Sequence, residues 1–230
     1  MMDFSTPLLT LLAPQPSWRV LVITAEDEHI APTFAPHVAQ VVIGSPAPGI
    51  LIAAHGRFVE KGWANVTLCQ HNAGCLPFVS AAFDAVICHH TAHRLHNAAA
   101  FAAECARVLR HGGLLALAEC MVSGEPQIAR FVNTWERLRN PAHVWAYSPE
   151  DWETFFASAG LTVLHREIHS AERDFDEWAA AADVQGDDLL RLRVLLVQAP
   201  QAPRAWLAPR MVGSRLVFTY TEGLLIGRKA

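Results

Sequence analysis

A mostly parallel α/β sheet covered on both faces is the fold class this sequence predicts. Three observations predict it. Short, β-branched apolar runs alternate with helical runs over the first two thirds of the chain. Several of these runs are apolar throughout, as strands buried on both faces are. The 230 residues are 52% hydrophobic and 17% charged, enough apolar material for one well-filled α/β domain.

The elements follow in order. Leu8 to Ala13 reads as the end of a leading helix, stopped by Pro14 and Pro16. Trp18 to Thr24 (WRVLVIT) reads as the first strand and Val38 to Gly44 (VAQVVIG) as the second. Between Pro48 and Glu60, Ile50, Leu51, Ala54 and Phe58 fall at helical spacing. Asn65 to Cys69 is a third strand and Phe83 to His89 (FDAVICH) a fourth. Asn97 to Arg110 is an alanine-rich helix closed by Gly112 and Gly113, and Leu114 to Cys120 a fifth strand. Beyond it, helices are expected at Pro126 to Arg139, Pro149 to Ala159, Phe175 to Ala182 and Asp187 to Gln198. Leu161 to His169 is expected as a strand, Ala199 to Pro209 as a loop, and Arg215 to Arg228 as the strand that ends the sheet.

Composition excludes several function classes. The net charge is −4 with no basic stripe, so no nucleic-acid partner is expected. No run of about eighteen uncharged apolar residues occurs, so no membrane span is expected. The N-terminus has no basic segment ahead of its apolar run and reads poorly as a secretory signal. Cys69, Cys75, Cys88, Cys105 and Cys120 are odd in number and lack CxxC spacing, which reads as reduced thiols in a cytoplasmic protein.

Three ordered segments carry a family resemblance. They are Cys75-Leu76-Pro77-Phe78, Phe83-Asp84-Ala85-Val86, and Arg107-Val108-Leu109-Arg110-His111-Gly112-Gly113, followed by Ser148 to Leu161 (SPEDWETFFASAGL). The series resembles the "LPF…FDxV…RVLRPGG" anchors of the ubiquinone/menaquinone-type, or type 11, class I S-adenosylmethionine (SAM)-dependent methyltransferases, with His111 at the usual proline. The resemblance implies a Rossmann-like doubly wound fold. Its seven-stranded, mostly parallel sheet would have an antiparallel last strand. It also implies one domain over residues 1–230, with residues 121–200 including a helical cover over the cleft.

The same resemblance places a cofactor site whose residues have changed. The stretch matching the family's DxGxGxG turn is Val22-Ile23-Thr24-Ala25-Glu26-Asp27-Glu28-His29, so Thr24, Glu26 and Glu28 stand at the three glycine positions. Family glycines there permit positive φ and close approach to the cofactor. A ligand carboxylate 4 Å from one of the new carboxylates meets a repulsion of about 4 kcal/mol at an effective dielectric of about 20. A loop carboxylate could instead cap its own helix. Ser45 stands where an acid binds the ribose, and Asn72, followed by Ala73, where an aspartate contacts adenine. The altered cofactor positions are thus Thr24, Glu26, Glu28, Ser45, Asn72, Ala73 and His89.

His89, His90 and His93 are the candidate catalytic residues, since imidazole titrates near neutrality and α/β folds place ligands at the C-terminal ends of strands. His71 follows the third strand and His29 lies in the altered loop. Surface or second-layer roles compete with this reading. So does a metal site, since His89, His93 and His96 recur at i, i+4, i+7 if their segment is helical; no metal is assigned. Cys69, Cys75 and Cys88 read as buried thiols. Trp135, Trp145, Tyr147 and Trp152 read as core, with an apolar ligand pocket as the alternative. Phe175, Trp178, Leu189, Leu192, Leu195 and Leu196 form an apolar helical face that would suit a homodimer or heteromer.

The functional expectation is a methyltransferase-fold protein that does not bind SAM in the usual way. It would bind another small-molecule ligand, support a partner enzyme, or catalyse without methyl transfer. The alternative is an active, divergent SAM-dependent methyltransferase acting on a small molecule. No cofactor is expected under the first reading; SAM or S-adenosylhomocysteine is expected under the second.

Overall fold

The computed structural model describes residues 4–24, 30–71 and 74–230. It divides into two compact units, one of Met1–Glu119, Glu153–Glu167 and Leu224–Ala230, the other of Cys120–Trp152 and Ile168–Gly223.

In the first unit, helix α1 (Ser5–Leu12) ends at Ala13, whose φ of 42° turns the chain into Pro14. Strand β1 (Arg19–Thr24), helix α2 (Ile30–Phe34), strand β2 (Gln40–Ser45), helix α3 (Pro48–Glu60) and strand β3 (Val66–Gln70) follow. Then come β4 (Phe83–His89), α4 (Ala98–Val108) and β5 (Leu109–Cys120). The runs β1 to β3 start and end within two residues of the sequence reading. In α3, Pro48 fills the first turn, where its missing N–H costs nothing, and Leu51, Ala54 and Phe58 are the buried face. The even residues of β1 (Val20, Val22) and their partners Val41, Ile43, Ala85 and Ile87 pack with α1, α2 and α3 in one apolar cluster. Asn97 caps α4, its side chain accepting the Ala100 N–H at 2.9 Å.

One boundary differs from expectation. The helix predicted through Arg110 stops at Val108, because Leu109 already pairs with Phe83 in the sheet. Gly112 and Gly113 therefore lie inside β5, at an irregularity where the register jumps from Phe83↔Leu109 to Ala85↔Leu114. Gly112 has φ +74°, and a Cβ at Gly113 would meet the Arg110 carbonyl at 2.9 Å and the Asp84 carbonyl at 3.1 Å. The glycine pair serves this bulge rather than a helix end.

The strand order is β3-β2-β1-β4-β5-β8-β6, where β6 is Leu161–Asp174 and β8 is Arg215–Lys229. Pairings among β1 to β5 are parallel. Lys229 reaches the carbonyl of Leu109 at the start of β5, whereas Met121, just past its end, bonds Thr221. The last strand therefore runs antiparallel to β5. A short β7 (Arg210–Val212) pairs with β8, so the described residues hold eight strands where seven are expected.

The second unit holds α5 (Pro126–Arg139), the start of α6 (Pro149–Ser158), α7 (Phe175–Ala180), α8 (Gly186–Val197) and α9 (Gln201–Leu207). Ser148 and Asp151 form a reciprocal cap at α6, with Asp151 N–H donating to Ser148 Oγ and Ser148 N–H to Asp151 Oδ2. Trp135 stacks on Trp178 at 4.2 Å, meets Phe218 edge-on, and donates Nε1–H to the Leu192 carbonyl. Leu192 and Leu196 are buried, while Leu190, Val194, Leu195 and Val197 are exposed.

Two predictions fail in this part of the chain. The stretch expected as a loop, Ala199 to Pro209, contains α9. Pro203 falls in its first turn, where proline is tolerated, and Leu207 is buried. Strand β6 runs to Asp174, five residues beyond His169, because its end alternates polar residues across an edge strand.

Candidate active site

The parallel strands deliver their C-terminal ends to one edge, and register fixes the order. Thr24 of β1 pairs with His89 of β4, which pairs with Ala118 of β5; Ser45 of β2 pairs with Gln70 of β3. These ends and the turns after them are polar but buried: Thr24, Ser45, His71, His89, His90, Thr91, His93 and Glu119. All belong to the first unit.

Thr24 corrects part of the argument built on lost glycines. It has no exposed surface, sits in the extended ladder of β1, and is not among the residues with positive φ. A glycine's conformational freedom is not required at this position. Glu26, Glu28, Asn72, Ala73 and His29, which carried the rest of that argument, lie outside the described residues.

Ser45 Oγ accepts the Ala47 N–H at 3.2 Å, turning the chain toward α3. His71 lies over the end of β2: a methyl placed on Gly44 would meet its Nε2 at 2.0 Å. The ring also meets Phe78 edge-on at 6.4 Å. Thr24, Ser45 and His71 thus set neutral hydrogen-bonding groups along the β1–β3 end of the edge. The charged acceptor that the resemblance expects at the ribose position is here a hydroxyl, on a side chain with no exposed surface.

The β4–β5 end is built around Glu119. Its Oε2 accepts the backbone N–H groups of Ala92 at 2.6 Å and His93 at 3.3 Å. Its Oε1 lies 2.7 Å from His93 Nδ1 and 3.8 Å from His90 Nδ1. Arg94 Nε donates to His93 Nε2 at 3.4 Å. His90 holds φ +42°, an uncommon conformation for a residue with a side chain, and its ring meets that of His89 edge-on at 4.5 Å.

Among the candidate catalytic residues, the structure ties His93 to Glu119, a residue the sequence reading passed over, and sets His90 Nδ1 3.8 Å from the same oxygen. The signal for Glu119 was visible: a lone acid in the apolar strand LLALAEC. The helical metal trio His89, His93 and His96 does not form. His89 ends β4, only Ala92–Arg94 makes a single 3-10 turn, and His96 is exposed.

The thiols divide. Cys88 is buried and Cys69 half-buried, but Cys75 is exposed, against the expectation of burial. Burial drives the Cys88 thiol well above its ordinary pKa, with Glu119 and Cys105 adding to the rise. That is the opposite of an activated nucleophile. In the second unit Trp135 and Trp152 are core, whereas Trp145 and Tyr147 are half-buried.

The segments carrying the family resemblance are physically joined. Glu104 accepts the Leu76 N–H at 2.9 Å and pairs with Arg107, which donates to the carbonyls of Phe78 at 2.7 Å and Leu76 at 2.9 Å. Arg107 holds the Glu104 carboxyl below its ordinary pKa, helped by the Leu76 N–H. Asp84 Oδ2 accepts the Arg19 N–H at 2.6 Å, and its other oxygen pairs with Arg110.

Strand order, parallel C-terminal edge and glycine bulge together define a class I methyltransferase fold. Comparison with known proteins agrees, and the chain belongs to the methyltransferase domain family, whose pattern matches residues 27–117. The uncharacterized methyltransferase YcgJ of Bacillus subtilis (strain 168) is 32% identical over 170 residues, 74% of this chain and 67% of YcgJ. Its crystal structure superposes with a TM-score of 0.92, at 25% identity, over 97% of each chain. The uncharacterized protein YafE of Escherichia coli (strain K12) is 32% identical over 151 residues, 65% of this chain and 73% of YafE. At the level of fold alone, geranyl diphosphate C-methyltransferase of Streptomyces coelicolor A3(2) is similar, with a TM-score of 0.68 at 12% identity. It covers 98% of this chain and 78% of its own, and was solved with Mg2+, geranyl diphosphate and S-adenosylhomocysteine. Among the described residues, no helix is long and apolar enough to cross a membrane.

Proposed function

We propose that this chain is a SAM-dependent methyltransferase acting on a small molecule. The observation that carries the reading is the polar edge formed by Thr24, Ser45 and His71, whose neutral donors and acceptors suit a nucleoside. Family membership raises its weight. When bound, SAM supplies an electrophilic methyl group.

The chain's own residues then bind and orient. Ser45 offers its hydroxyl to the ribose. His71 walls the adenosine side against Gly44 and Phe78. The His89–His93 turn, fixed by Glu119, borders the reacting end. Thr24 completes its strand without a positive φ.

Calorimetric titration of the purified chain with SAM and with S-adenosylhomocysteine tests this reading. Saturable one-to-one binding of both is the expected result. No heat and no ligand-induced rise in melting temperature at about millimolar SAM, a ligand energy of only ~4 kcal/mol, would overturn it. The other reading, a methyltransferase fold that does not bind SAM in the usual way, would then stand.

A further inference from the structure

We propose that His93 is the general base of methyl transfer, taking the proton of an acceptor hydroxyl, with Glu119 as its positioning residue. The proposal rests on the methyl-transfer reading and names the acceptor class that reading leaves open. His93 stands in the single turn that follows β4, at the edge where the parallel strands end.

Hydrogen-bond chemistry fixes where the ring proton sits. The Arg94 guanidinium can only donate, and its Nε reaches His93 Nε2 at 3.4 Å, so Nε2 presents a lone pair. The ring hydrogen is therefore on Nδ1, 2.7 Å from Glu119 Oε1. A carboxylate on one ring nitrogen and a lone pair on the other is the arrangement of a base. The carboxylate holds the tautomer and stabilises the imidazolium that forms.

A purely structural role would need only half of Glu119. Oε2 alone holds the turn, accepting the Ala92 N–H at 2.6 Å and the His93 N–H at 3.3 Å. The His90 N–H donates to the Ala118 carbonyl at 3.0 Å and ties the turn to β5 a second time. Oε1 is left for the ring. The His93 and Glu119 side chains are 9% and 1% exposed, so the pair is fixed in place rather than free in solvent. Only the long contact to half-exposed Arg94 must yield for an acceptor hydroxyl to reach Nε2. The other titratable groups nearby are His90, with Nδ1 3.8 Å from Glu119 Oε1, and Cys88, whose buried thiol is held well above its ordinary pKa.

The step balances. As the acceptor oxygen bonds to the methyl carbon, the carbon–sulfur bond breaks and its electron pair stays on sulfur. The hydroxyl proton goes to His93 Nε2, and the imidazolium then releases it to buffer.

The test begins with the full chain alone. Nitrogen NMR of its histidine rings is recorded from about pH 5 to 9. At the alkaline end, a protonated Nδ1 and an unprotonated Nε2 are expected at His93. E119Q keeps an oxygen for the two backbone N–H groups and turns its NH2 toward Nδ1, so the ring proton should move to Nε2. Methyl transfer from SAM is then followed with catechol as the hydroxyl probe and ortho-phenylenediamine as its amine counterpart. Transfer to catechol is expected, at a rate that rises with pH through the His93 titration seen by NMR. H93N keeps an amide N–H for Glu119 but has no base. It should lower kcat about a hundredfold or more while SAM Kd stays within about twofold.

A proton on Nε2 of the parent, or an E119Q ring unchanged from it, would overturn the proposal. So would a loss of less than about tenfold in H93N, or transfer to the amine alone or to neither probe. No SAM heat by calorimetry would overturn the methyl-transfer reading itself. The ring resonances, recorded without SAM, tell the two failures apart.

Discussion

Arg107 joins the turn at Leu76–Phe78 to helix α4, and its removal tests whether that joint supports the cofactor edge. R107M keeps the apolar stem and deletes the guanidinium. It loses two bonds to backbone carbonyls, Phe78 at 2.7 Å and Leu76 at 2.9 Å, and the paired contact with Glu104 at 2.8 Å. The Arg107 side chain is 34% exposed and that of Glu104 22%, so solvent screens much of the charge. Allowing about 0.5–0.75 kcal/mol for each carbonyl bond and up to ~1 for the pair gives a loss of about 2 kcal/mol. For a chain of this length that is a fall of about 4–8 °C in melting temperature. The pH dependence adds a second readout. Glu104 has its folded pKa lowered, first by Arg107 and then by the Leu76 N–H. Its contribution is therefore present above the ordinary glutamate pKa and lost as pH falls through the lowered value. R107M should flatten that acid limb. The same turn follows Asn72 and Ala73, so SAM affinity should fall several-fold in the same sample. Urea and thermal melts from pH 3 to 8 measure the first two effects, and calorimetry the third. A melting temperature within about 1 °C of the parent, with an unchanged acid limb, would refute the account of the joint.

Other predictions follow from single residues. S45D should keep the cap on Ala47 and add a charged acceptor, tightening SAM about five- to tenfold by calorimetry; unchanged or weaker binding would show that the ribose does not reach Ser45. G113A should cost about 2–3 kcal/mol in urea unfolding, because the new methyl meets backbone carbonyls at 2.9 and 3.1 Å that cannot rotate away; a cost below about 0.5 kcal/mol would show the bulge to be pliable. Burial raises the pKa values of Cys88 and Cys105, so the folded state holds those protons more tightly than the unfolded chain. Their contribution is complete below the ordinary thiol pKa of about 8.5 and is lost as pH rises through the raised values. C105A should flatten the fall in stability above that pH, and an unaltered slope would assign the fall to other groups.

The fold was legible wherever period and burial agreed. Strands β1 and β4 are apolar on both faces, α3 and α5 carry regular apolar stripes, and their ends could be read closely. The misreadings share a cause: a residue's local preference was taken without its tertiary partner. Gly112 and Gly113 look like a helix stop, but the pairing of Leu109 with Phe83 moves them into a strand bulge. Three prolines near residue 203 look like a loop, yet Pro200 and Pro203 lie at the start of α9, where an N–H has no helical partner. Glu119 was missed because a strand pattern scores it as one polar residue. Its importance lies in Ala92 and His93, 27 and 26 residues away, and that convergence has no sequence period.

The cofactor site shows the same division between local and tertiary information. Two penalties are expected at the altered glycine positions, backbone conformation and charge. At Thr24 the first is absent, since the residue completes a buried strand in register with His89 and has no positive φ. A family glycine can be dispensable at one position even where its neighbours use their freedom. The backbone half of the objection to SAM binding therefore does not hold at Thr24.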